Sequence, residues 1–115
     1  MKLQDFDFRI WDSNTNKFME VLISDNIRAV PINNNNIDLE LWTGYKDSKG
    51  VKIYENDIVC CYFAMDGLII FENAMFYVLN QNSGEKKTLF EALHESQAEK
   101  EPFVVESNIH FEKDK

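Results

Sequence analysis

The residues in this chain that could do chemistry are few, and their spacing suits it poorly. Glu55 and Asp57 stand two apart. Paired carboxylates can divide acid and base roles when their surroundings push the two pKa values apart. At a turn entering a strand, however, such acids accept backbone N–H bonds and fix where the strand starts. That structural role is the expected one here. Cys60 and Cys61 are adjacent, and strand neighbours face opposite sides of a sheet. They are expected to be two reduced thiols, one buried and one near the surface, as in a reducing compartment. They lack the two-residue gap of a zinc hook, and His94 and His110 form no ligand pair with each other or with them. Asp47-Ser48-Lys49-Gly50 has the look of a calcium loop's opening but not its alternating acids or its distal glutamate. No nucleophile is flanked by glycines, and four glycines in all leave no phosphate-cradling loop. The chain is therefore expected to be non-enzymatic, with no catalytic residue, metal or cofactor. The enzymatic alternative is a small enzyme using Glu55 and Asp57.

The elements that would position these groups are mostly strands. Phe6, Phe8 and Ile10 alternate with Asp7, Arg9 and Trp11, the period of a half-buried strand. A polar turn at Asp12–Asn16 leads to an apolar run over Phe18–Ile23, so the pair reads as a hairpin. Ile27–Ile32 is a short strand weakened by Pro31, and Asn33–Asn36 is a loop. Ile37, Leu39 and Leu41 alternate with Asp38, Glu40 and Trp42 and predict an amphipathic strand. Thr43-Gly44, Asp47–Gly50 and Tyr54–Asp57 are three turn signals, with Asn56 suited to positive φ. Ile58–Met65 reads as a strand covered on both faces, Asp66-Gly67 as a hairpin turn, and Leu68–Phe71 as the return strand. Asn73 precedes a third strand over Met75–Leu79, completing a meander. Thr88-Leu89-Phe90-Glu91 is a capping box that opens a helix over Leu89 to about Gln97, with Leu89, Phe90 and Leu93 as its apolar stripe. Pro102 stops the helix. Phe103–Val105 and Asn108–Phe111 are expected closing strands, followed by a fraying tail at Glu112–Lys115.

The stretch from Trp42 to Val59 also carries a resemblance. An aromatic residue, Thr43-Gly44, Lys46-Asp47, Gly50, Ile53-Tyr54-Glu55 and Asp57-Ile58-Val59 together resemble the signature of the YopX family of phage and prophage proteins. Phe8–Asp12 with Met19, and Val104–Ile109, resemble that family's N- and C-terminal segments. The family has no established biochemical activity, so the resemblance implies a setting in the host cytoplasm and no reaction. It usually has glycine where this chain has Asn56 and again where it has Ser107. Taken residue by residue, Thr43, Gly44, Asp47, Gly50, Tyr54, Glu55, Asn56 and Asp57 answer to turn geometry.

The 115 residues, 44% of them hydrophobic and 13% aromatic, suffice for one core without disulfides or metal. The expected organisation is a single domain, 1–115: an N-terminal hairpin and strands over 1–41, the signature turns over 42–59, and the meander, helix and closing strands over 60–115. The fold class is mainly β: a small SH3-like, partly open barrel or curled antiparallel sheet with one short C-terminal helix. A net charge of −8, from 20 acidic and 12 basic residues, argues against gripping a phosphate backbone. No direct nucleic-acid binding is expected. The charge leaves open an acidic nucleic-acid mimic that inhibits a host DNA-binding enzyme. No apolar run has the length of a signal or a bilayer span, so a cytoplasmic protein without membrane contact is expected. Trp11, Trp42 and Tyr45 are candidate interface residues, because each tryptophan lies opposite the more apolar face of its strand. They point to a homo-oligomer, or to a host or phage protein as partner.

Overall fold

The structure, a computed structural model, describes residues 8–19 and 37–112. About half of these residues lie in strands; they form two antiparallel sheets, one of them curled strongly into a half-barrel. The mainly β fold with a short C-terminal helix is as the sequence predicts. By its internal contacts the chain divides into two compact units, Met1–Trp42 and Thr43–Lys115. The expected strand at Ile27–Ile32, the asparagine run and the extension to Ile23 lie outside the described residues, as does the C-terminal tail beyond residue 112.

In the first unit, β1 (Phe8–Asp12) pairs antiparallel with β2 (Lys17–Met19) and with the start of β3 (Ile37–Lys46). Asp12 closes the hairpin by accepting the Asn14 N–H at 2.9 Å. Both faces of β1 are buried at its centre, Ile10 at 0% exposure and Trp11 at 5%. The alternation in β3 does not mark its buried face as expected. Glu40 is fully buried and Leu39 is 54% exposed. The reason is Arg9: it sits opposite Glu40 in the register, donates to its carboxylate at 2.7 Å, and lies 4.5 Å from the Phe18 ring centre. A buried carboxylate needs such a partner, and here the ion pair overrides hydropathy. Arg9 also stacks on the Phe18 ring.

The second unit begins within β3. Thr43-Gly44, predicted as a turn, is instead a kink in a continuous strand: Gly44 takes φ +89°, a conformation only glycine adopts cheaply. Beyond the Asp47–Gly50 turn, β4 (Lys52–Tyr54) returns beside β3. A five-stranded sheet follows in the order β8-β7-β6-β5-β9, built from β5 (Asp57–Cys60), β6 (Gly67–Glu72), β7 (Met75–Asn80), β8 (Lys86–Thr88) and β9 (Val104–Asn108). β5 is shorter than predicted. It stops at Cys60, and a loop over 61–66 is closed by reciprocal backbone bonds between Cys61 and Ala64. Asp66-Gly67 is therefore not the two-residue turn expected. Gly67 starts β6 opposite Val59, and a Cβ there would lie 2.7 Å from Val78 Cγ1 and 3.2 Å from Val59 Cγ2. Close packing, not positive φ, is why this residue is glycine. Gly67→Ala is expected to cost about 1–3 kcal/mol through overpacking of a stiff β-branched core, read as a lower urea midpoint with unchanged slope.

The two-residue turn Asn73-Ala74 joins β6 to β7, both residues at positive φ, as a type I′ hairpin requires. Helix α1 (Leu89–Ala98) is capped by Thr88, whose hydroxyl accepts the Glu91 N–H at 3.2 Å and donates to the Glu91 carboxylate at 2.8 Å. The carboxylate thus meets the hydroxyl and not the predicted Thr88 amide. Leu89, Ala92 and Ser96 form the buried helix face. Phe90 falls about 100° from Leu89 around the helix and is 55% exposed, so it is not part of the predicted core stripe. The core of this unit joins Ile53, Val59, Ile69, Val78, Leu89, Ala92 and Phe103. The last predicted strand is instead a single helical turn, α2 (Ile109–Glu112), opened by Asn108, which accepts the His110 N–H at 2.9 Å. Ser107 takes its place without positive φ. The register of β9 slips by one between Ile58 and Val59, leaving Glu106 as the extra residue of a bulge.

Candidate binding surface

The signature residues come together as a structural clamp. Asp47 is buried at 7% exposure. One carboxylate oxygen accepts the N–H groups of Lys49 and Val51, at 2.8 and 2.9 Å. The other accepts Val105 N–H at 3.0 Å, from the edge strand β9. Ser48 completes the clamp: its N–H donates to Phe103 O, and its hydroxyl accepts Phe103 N–H at 2.8 Å. Burial pushes the Asp47 pKa up, but the three backbone N–H bonds and the Lys49 charge outweigh it and hold the group below its ordinary 3.8. The sequence foresaw the local bond to Lys49. It could not show that the same carboxylate reaches a strand 58 positions on.

The second signature turn behaves likewise. Asn56 takes φ +70°; its N–H donates to Ile69 O, and its carbonyl accepts Ile109 N–H. Asp57, 2% exposed, accepts the Tyr54 N–H at 2.8 Å. Glu55 is half-buried beside it. Thr43, also buried, accepts the Tyr45 N–H at 3.2 Å. The side chains of Asp47, Asp57 and Thr43 thus accept backbone N–H groups.

The thiols lie as their alternation suggests, Cys61 buried and Cys60 half-exposed. Burial raises both pKa values, and for Cys60 the carboxylates of Glu106 and Glu101 raise it further. A nucleophilic thiol needs the opposite surroundings. His94 packs against Phe90, ring centres 4.5 Å apart, and His110 sits on α2. Among the described residues no three His, Cys, Asp or Glu side chains gather as a metal site, and no helix is long and apolar enough to cross a membrane.

Two depressions mark the second unit. The smaller, about 290 Å³, lies between the Asp47-Ser48 turn and α1, over Phe103. Its polar walls serve the main chain: Asp47 and Ser48 as above, and Ser96 by accepting the Tyr62 N–H at 3.1 Å. The larger is a groove of about 480 Å³ lined by Tyr45, Met75, Phe76, Leu89, Phe90 and Glu91, among others. Tyr45, Met75 and Phe90 are 39%, 48% and 55% exposed. Large apolar side chains converging on a concave surface are what a binding site offers.

Of the three aromatics singled out from sequence, only Tyr45 reaches this groove. Trp11 is buried against Phe18, ring centres 5.0 Å apart, and Trp42 is half-buried. Met75 and Phe90 were missed. Phe90 carried a readable signal, because a helix that buries positions 89, 92 and 96 must turn position 90 outward. Met75 had none, since the groove exists only where β8 gives way to α1. Neither the protein-family models nor the curated proteins searched contain a match to this chain.

Proposed function

We propose that the chain is a non-enzymatic β domain that works by binding another protein through the Tyr45–Met75–Phe90 groove. The observation that carries this reading is the convergence of three large, exposed apolar side chains on one groove of about 480 Å³. Two of the chemistry-bearing residues support it from the other side: the Asp47 and Asp57 carboxylates accept backbone N–H groups. The YopX-like signature supports a phage or prophage setting, in which the partner is a host or phage protein. Self-association through Trp11 loses its main support, because that ring is buried within its own unit.

Weighing against a nucleic-acid mimic is the way the acids are used. Asp12, Asp47 and Asp57 accept backbone N–H groups, while Glu40, Glu72 and Glu95 pair with cations. A mimic needs free carboxylates arrayed on one face.

The test is site-specific photo-crosslinking in host cells. A photoreactive side chain at position 75 or 90 is expected to trap a discrete protein adduct, and one at the exposed turn residue Lys49 is not. Equal adducts from all three positions, or none from 75 and 90, would reject the groove as a protein-binding site.

A further inference from the structure

We propose that the groove takes an extended segment of a partner protein that carries alternating apolar and basic side chains, laid along β7 where β8 ends. This rests on the reading of the groove as a protein-binding site and names the class of partner. The register leaves part of β7 open on the β8 side. β8 pairs with β7 only from Tyr77↔Thr88 to Leu79↔Lys86. At Thr88 the chain turns away into α1, so Met75 and Phe76 run on past the end of β8 with no strand paired on that side among the described residues. Those two residues line the groove. An incoming extended backbone there continues the line of β8, the strand-addition mode of peptide recognition. Alternate side chains of such a segment point to the same face, and that face meets Tyr45, Met75 and Phe90.

The charge of the groove favours a basic segment. Glu91 is the carboxylic side chain in the groove wall, and no lysine or arginine lines it. The two lysines of β8 are already engaged, Lys86 with Glu72 and Lys87 with Glu95. Lys46 lies in the wall of the other depression. The Glu91 carboxylate accepts only a hydroxyl proton from Thr88 among the bonds described, so it has capacity for a cation. The net charge of −8 draws a basic segment in and repels a second copy of this chain.

The experiment is fluorescence anisotropy with the full chain and three labelled ten-residue probes: alternating valine–lysine, valine–glutamate and serine–lysine. The valine–lysine probe is expected to bind, and the serine–lysine probe to bind about tenfold more weakly, since apolar anchors carry most of the affinity. Phe90→Asp should weaken the valine–lysine probe about tenfold, and Glu91→Gln, which keeps the helix cap, about threefold. Both positions are exposed, and melting curves check that the variants are folded. Equal binding of the two lysine probes overturns the inference, as does an unchanged affinity in Glu91→Gln or the binding of no probe. Valine–glutamate binding as tightly as valine–lysine, and lost in Phe90→Asp, overturns the basic partner while leaving the groove a protein-binding site. A dimer of the chain that Phe90→Asp dissociates would assign the groove to a second copy and overturn the inference too.

Discussion

Asp47→Asn is expected to lower folding stability by about 2–3 kcal/mol, the scale of losing charge-assisted bonds to buried N–H groups. The asparagine keeps one acceptor oxygen. It must abandon either the Lys49 and Val51 amides of its own turn or the Val105 amide of β9, and its amide nitrogen then faces a donor. Chemical denaturation should show a lower midpoint with unchanged slope. The pH dependence carries the same signature with a definite sign. Because the folded Asp47 pKa lies below the ordinary 3.8, its contribution is fully present above that value. It is lost as pH falls through the lower folded value, where the folded carboxylate takes up its proton. Below pH 4 the wild type should lose stability faster than Asp47→Asn, and the two acid-denaturation curves should converge.

Phe103→Ala is expected to cost more, about 3–5 kcal/mol, the range for removing a buried aromatic ring and leaving a cavity. Phe103 is 2% exposed and heads the fully buried side chains by volume. Its backbone is gripped on both sides by Ser48, so the surroundings cannot easily collapse into the space. Against a total stability of about 5–15 kcal/mol for a domain, that loss is about a fifth or more of the whole and should read as a clearly lower melting temperature. Phe103→Leu, which restores most of the volume, should recover all but about 1–2 kcal/mol. Calorimetry of the three proteins checks the order.

These two predictions show where the sequence was legible. Local signals were read well. The Asp47–Gly50 turn, the positive φ of Asn56, the Asn73 turn and the Thr88 cap all depend on residues a few positions apart. Errors arose where distant residues decide. Gly67 looked like a hairpin glycine but exists to clear Val78 and Val59. Glu40 looked solvent-facing but is buried because Arg9 lies opposite it across β1 and β3. The expected strand over Asn108–Phe111 keeps only Asn108 in β9, and residues 109–111 are wound into a helical turn by the Asn108 cap. The signature itself was legible as turns and illegible as a clamp, because spacing along the chain does not reveal Val105 above Asp47. The groove was least legible of all, since it forms at the junction of a strand end, a hairpin and a helix start.

On the function proposed above, the stretch from Trp42 to Val59 holds the fold and the groove binds the partner. The most direct measurement is anisotropy titration of the valine–lysine probe against Asp47→Asn and Phe90→Asp, with a denaturation curve on each preparation. Asp47→Asn is expected to lose stability yet bind normally under conditions where it is folded, and Phe90→Asp to keep its stability and lose binding about tenfold. A folded Asp47→Asn protein that no longer binds, beside a Phe90→Asp protein that binds like the wild type, would contradict this division of roles.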